Sequence, residues 1–150
     1  MNQTLNLAII LDLKLDSGGA LHMSQSHLFF LEKLNSKRLN IFIIATNKDL
    51  YNYLKNKYKL KILFYDKDFF FIKLLNYLYK KITKYIPILS HFEYFLKKKN
   101  INLVYFSSPS YLVLLFKKLD FIYTVFDLID KKLANLPEHG KSIINLRNKC

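Results

Sequence analysis

Leu5-Asn6-Leu7-Ala8-Ile9-Ile10-Leu11-Asp12, followed at a short distance by Asp16-Ser17-Gly18-Gly19-Ala20, is the stretch that decides the fold. Leu5 to Leu11 is an apolar run, the mark of a strand buried on both faces in a parallel sheet. It stops at Asp12, and the Asp-Ser-Gly-Gly segment reads as a turn into a helix. From Ala20 to Leu34 the apolar positions Leu21, Leu28, Leu31 and Leu34 recur at helical spacing.

The same alternation continues outward. Asn40 to Ala45 is a second strand, and Lys48 to Lys57 a short helix capped near Asn47. Leu60 to Tyr65 is a third strand. A helix over 69–84, a break at Pro87 and a helix from Ser90 to Lys99 come next. Leu103 to Ser107 is a fourth strand, Ser108-Pro109 opens a short helix reaching about Lys117, and Phe121 to Phe126 is a fifth strand. Strands alternating with helices at this spacing predict right-handed βαβ units and one α/β domain with a doubly wound, Rossmann-like parallel sheet.

Composition supports a packed core and removes several classes. The chain has 150 residues, 51% of them hydrophobic, with 13 Phe and 11 Tyr, which argues against disorder. Its one cysteine, Cys150, excludes a disulfide framework and fits a reducing cytoplasm. Met1 to Leu13 lacks the basic start of a signal peptide. The longest uncharged stretch, Ile101 to Phe116, is interrupted by Ser107-Ser108-Pro109-Ser110, whereas a spanning helix needs about 20 apolar residues. Walker, HExxH and GxSxG motifs are absent, as is any Cys/His metal spacing, so no metal or cofactor is expected. His22 and His27 are five residues apart, a poor spacing for one helix face.

The net charge of +13 is uneven, since residues 48–99 hold 13 lysines and 4 acids. Such a bias fits an anionic membrane surface or a phosphate-bearing substrate; it also fits a composition rich in Lys, Asn, Ile, Phe and Tyr and poor in Gly, Pro and Ala. No groove-binding motif accompanies the charge, so nucleic acid is not an expected partner. In the helix over 69–84, Lys73, Lys80 and Lys84 share a stripe with Asn76. That stripe is either a lipid-contacting basic face or the solvated side of a domain helix.

In a parallel α/β sheet, ligands bind beyond the carboxyl ends of the strands. Three segments fall there. Gly18-Gly19 can bring helix-start N–H groups close to a phosphate, or can be a plain tight turn; it is not the GxGxxG dinucleotide fingerprint. Ser107-Ser108-Pro109-Ser110 can cap the next helix, with Pro109 in its first turn, or touch a ligand. Thr124-Val125-Phe126-Asp127-Leu128, running on to Pro137-Glu138, sets an acid just past the fifth strand, where it can also be a turn former.

The order of these pieces resembles the amino-terminal half of family 4 glycosyltransferases. The resemblance rests on Gly18-Gly19, Thr124 to Leu128, Pro137-Glu138 and, more loosely, Arg147, and it spans nearly the whole chain. It implies one half of a GT-B fold, the acceptor side, in an enzyme that moves a sugar from a nucleotide-sugar donor to a saccharide or lipid-linked acceptor without an essential metal. By the same resemblance Asp127 is the catalytic-side acid that holds the acceptor loop. Gly18, Gly19, Asp130 and Glu138 become substrate-binding positions. Phe126 and Asp130 stand where relatives commonly carry a histidine, and the donor domain with its paired glutamates is not in these 150 residues. The expectation is therefore a cytoplasmic chain, free or peripheral on the inner face of the membrane, that is inactive until a second domain or subunit completes the site. A non-catalytic binding or membrane-docking remnant of the same fold is the alternative.

Overall fold

A computed structural model describes residues 4–34, 36, 38–82 and 89–124. Strand β1 (Leu5–Leu11) lies at the centre of a five-stranded sheet of order β3-β2-β1-β4-β5, all pairs parallel. Its partners are β2 (Leu39–Ala45) on one side and β4 (Leu103–Phe106) on the other, with Leu7 opposite both Ile41 and Leu103. Strand β3 (Lys61–Phe64) and strand β5 (Asp120–Tyr123) form the two edges. This is the Rossmann-like α/β architecture that the alternating pattern predicts.

A central strand must bury both faces, and β1 does so. Ala8 and Ile10 point into one layer, where they join Ile44, Phe92, Leu96, Val104 and Phe106. Ile9 and Leu11 point into the other, with Leu21, Leu28, Ile43, Leu50 and Leu54. The second layer is made by α1 (Gly18–Leu34) and α2 (Lys48–Lys57), the first by α3 (Phe70–Ile82), α4 (His91–Lys98) and the 3-10 helix Tyr111–Leu115. Each fully buried Leu, Ile or Phe contributes about 1.5–3 kcal/mol relative to exposure, so the two apolar layers hold the sheet in place.

Local signals set the helix ends. Asn47 caps α2 by accepting from the N–H groups of Asp49 (2.9 Å) and Leu50 (3.1 Å). Ser90 and Glu93 form a reciprocal capping box on α4. That helix stops at Asn100, which takes the left-handed conformation (φ 57°). The Asn100 N–H reaches the Lys97 carbonyl at 2.9 Å and the Ile101 N–H the Leu96 carbonyl at 3.1 Å, the paired bonds of a Schellman close. Glu93 has a second task. Fully buried, its Oε1 accepts from three successive backbone N–H groups, Lys117 (2.8 Å), Lys118 (2.7 Å) and Leu119 (3.0 Å). One carboxylate thereby fixes the turn that delivers the chain into β5.

Three sequence expectations shift. Helix α1 begins at Gly18 rather than Ala20. The short helix after β4 is a 3-10 helix of five residues with Ser110 as its N-cap, so Pro109 precedes the cap instead of occupying the first turn. Helix α3 turns Ile72 and Tyr79 toward the core and leaves Asn76 half-buried, while Leu74, Leu75 and Leu78 are exposed. Apolar residues cover more than half of its circumference, so periodicity alone could not say which of them face inward. Among the described residues no helix is long and apolar enough to cross a membrane.

Candidate functional site

All strands run the same way, so every strand end and every following helix start lies on one edge of the sheet. Polar residues shortly past the strands converge there on Asp12, directly after β1. Thr46, after β2, donates its hydroxyl to Asp12 Oδ1 at 2.6 Å. Lys67, in the turn after β3, makes an ion pair with the same oxygen. Ser110, after β4, donates to Asp12 Oδ2 at 2.6 Å and accepts the Leu112 N–H at 3.1 Å. The Asp12 side chain is only 8% exposed, and a carboxylate so enclosed requires the partners it has.

The position of this cluster follows from topology. Strands β2 and β3 lie to one side of β1, while β4 and β5 lie to the other, so the strand order reverses between β1 and β4. That switch point is where open α/β sheets receive ligands. Asp12 stands on one side of it and Ser107, Ser108 and Ser110 on the other. The Ser107 hydroxyl is spent on the Ile10 carbonyl at 3.1 Å. Ser108 Oγ is buried with no hydrogen-bond partner among the described residues. Around Asp12 the edge therefore combines hydroxyl groups and the Lys67 ammonium with a carboxylate that accepts through both oxygens.

Gly18 and Gly19 open α1 on this same edge, behind a turn in which Ser17 Oγ accepts the Lys14 N–H at 2.9 Å. Gly18 adopts φ 51°, the left-handed region that other residues avoid. Gly19 has no such demand. A Cβ built on either glycine meets nothing within 4 Å, so neither is kept small by a neighbouring group of the chain itself. The turn requirement explains Gly18; nothing in the structure explains Gly19.

A separate apolar hollow of about 350 Å³ lies on the α1 face, over β4 and β5, lined by Leu103, Tyr105, Ile122, His27 and Phe30 among others. A hydrogen-bonded chain borders it. Thr124 Oγ1 donates to the Tyr105 hydroxyl at 2.9 Å, and that hydroxyl lies 3.0 Å from His27 Nδ1. Elsewhere, burial pushes the Tyr65 hydroxyl up to about 12, whereas the hydrogen bond from Lys57 lowers that of exposed Tyr53. Among the described residues no group of three His, Cys, Asp or Glu side chains is placed to hold a metal ion.

Of the residues singled out from the sequence, the structure brings Gly18, Gly19 and Ser110 to the carboxyl edge. Asp127, Asp130, Glu138 and Lys84 lie outside the described residues, as does the Lys80 side chain. Lys73 is exposed and pairs with Asp68 at 3.0 Å on the surface. Asp12, Thr46 and Lys67 were missed. Their signal was available, because each is an early polar residue after a strand. Comparisons with protein-family models, with curated proteins and with solved structures each return no match.

Proposed function

We propose that this chain is the acceptor-side domain of a GT-B glycosyltransferase of the family 4 type, completed by a donor-binding domain or subunit. The observation that carries the reading is the carboxyl edge. Asp12, Thr46, Lys67 and Ser110, from four different strand ends, build a hydrogen-bonded polar floor on the edge where α1 starts at Gly18-Gly19. Hydroxyls and an ammonium group suit a polyhydroxylated or phosphorylated ligand, whose oxygens can both donate and accept. In this reading Asp127, Asp130 and Glu138 carry the acceptor loop, and the protein works at the cytoplasmic face of a membrane.

Alone, the chain offers one wall of a cleft. Sugar transfer needs the leaving diphosphate held while its charge develops, and that stabilisation shrinks when one side stays solvated. The experiment is to titrate the isotope-labelled protein with nucleotide sugars and with saccharides while following backbone amide resonances. Shifts at Gly18–Ala20 and Ser107–Ser110, lost in Asp12→Asn, are expected, with no transfer or donor hydrolysis. If no nucleotide sugar or saccharide perturbs this edge, the reading fails. Turnover by the chain alone, abolished by Asp127→Ala, would refute the half-site argument.

One observation favours a second reading, a non-catalytic binding domain of the same fold. The carboxylate at the switch point, Asp12, already accepts from Thr46, Lys67 and Ser110, so it organises the edge rather than serving as a free base. Binding at the edge with no transfer in any mixture with donor-domain partners would select this reading.

A further inference from the structure

We propose that the outward face of α3 seats this domain on an anionic lipid surface. The inference does not depend on sugar transfer; it rests on what the helix exposes and on the charge around it. Among the described side chains of α3, Ile72 and Tyr79 pack into the core. On the outward side, Leu74 and Leu78, one turn apart, are each 44% exposed, Leu75 is 46% exposed and Tyr77 56%. Exposed leucines grouped on one helix face leave apolar surface in water, a cost that a soluble domain usually avoids unless something covers it.

The neighbouring charges say what covers it. Lys73 and Lys81 are exposed on the same helix, and the Lys81 ammonium sits 4.9 Å from the centre of the Tyr77 ring. Helix α4, packed beside α3, adds exposed Tyr94, Lys97 and Lys98. On α3, α4 and their ends Lys73, Lys81, Lys97, Lys98 and Lys99 are exposed, against exposed Asp66 and Asp68, of which Asp68 pairs with Lys73 at 3.0 Å, while Glu93 is fully buried and faces inward. A second copy of this chain would bring the same positive charge against itself, so a self-complementary interface on this face is repulsive. A bilayer containing acidic phospholipid offers both complements: headgroup phosphate for the lysines and an acyl boundary for the leucines. Tyrosine sits well between them, with its ring in the apolar zone and its hydroxyl among the headgroups. The helix lies along the surface and does not span it.

The test is co-sedimentation of the full chain with phosphatidylcholine vesicles containing about one-third phosphatidylglycerol, beside vesicles of phosphatidylcholine alone. Binding to the acidic vesicles, at least about tenfold stronger than to neutral ones and weakening as salt rises from about 0.05 to 0.5 M, is expected. Leu74→Ser with Leu78→Ser should lower it at least about tenfold, and so should Lys73→Glu with Lys81→Glu. All four side chains are exposed, and unchanged circular dichroism and melting confirm that the variants fold. Phe29→Ser with Phe30→Ser, exposed apolar residues on α1, should leave binding unchanged. Equal binding to neutral vesicles, or no loss in both α3 variants, overturns the proposal. So does a dimer in sedimentation equilibrium that the leucine variant dissociates, because the face is then covered by protein. Failure here leaves the carboxyl-edge titration untouched, and failure there leaves this experiment untouched.

Discussion

Replacing Glu93 by alanine removes the carboxylate that joins α4 to the turn before β5. Its Oε1 accepts three backbone N–H groups, from Lys117, Lys118 and Leu119, at 2.7–3.0 Å, and its Oε2 accepts the Ser90 N–H at 3.3 Å. A hydrogen bond to a charged group contributes about 1.5–3 kcal/mol. Four such bonds do not add fully, since three share one oxygen and the freed N–H groups of exposed Lys117 and Lys118 can turn to water. The equivalent of one strong bond for the turn, about 1 kcal/mol for the capping box and a small cavity give a loss of about 3–4 kcal/mol. For a chain of this size that lowers the melting temperature by about 6–16 °C. Glu93→Gln keeps one oxygen for the turn, loses the charge and should cost about 1–2 kcal/mol. Urea unfolding of the three proteins measures both numbers, and hydrogen exchange should show amides 117–119 losing protection in the alanine variant. A loss below about 1 kcal/mol for Glu93→Ala, or a glutamine variant as weak as the alanine one, would refute the assignment of Glu93 as the anchor of that turn.

Three further expectations follow from geometry. Gly18→Ala forces a side chain into φ 51° and should destabilise by about 1 kcal/mol, whereas Gly19→Ala, with open space at its Cβ, should be neutral or stabilise by up to about 1 kcal/mol; equal effects in thermal melts would contradict the turn assignment. Asp12→Asn weakens the bond to Lys67 and sets an amide donor against the Ser110 hydroxyl; about 2 kcal/mol of stability should be lost in urea titration, and a change under about 0.5 kcal/mol would mean the cluster adds nothing. Because burial raises Tyr65 to about 12 while an unfolded tyrosine ionises near 10, the unfolded chain releases its proton first as pH rises. The stability linked to the neutral phenol is complete below about pH 10 and is lost through about pH 12; Tyr65→Phe should flatten that decline, and an unchanged alkaline unfolding profile would count against it.

Much of the candidate site was written in the chain but was not singled out. The glycine pair and Ser107 to Ser110 stand out by composition, since glycine is scarce here and a serine cluster after a strand is conspicuous. Asp12, Thr46 and Lys67 do not, because a polar residue shortly past a strand is ordinary. Their importance arises from convergence across sequence separations of 34, 55 and 98 residues. Glu93 shows both sides of the matter. Ser90-His91-Phe92-Glu93 has the spacing of a capping box and is legible locally. The second grip of the same carboxylate, on residues 117–119, depends on where the chain returns after β4 and has no local signature.

What the sequence determined by itself is the alternation of elements and the parallel sheet. Apolar runs such as Leu5–Leu11 can be satisfied only when both faces are covered, and the helical repeats between them supply the cover. That logic is local and periodic, so it survives without coordinates. Only the tertiary structure decided which polar strand ends meet and which face of α3 turns outward. Both depend on neighbours distant in sequence: the strand order β3-β2-β1-β4-β5 gathers Thr46, Lys67 and Ser110 around Asp12, and the core takes Ile72 and Tyr79 while leaving Leu74 and Leu78 in water. A helix with apolar residues on most of its surface carries no periodic instruction about which of them to bury. The packing partner makes that choice.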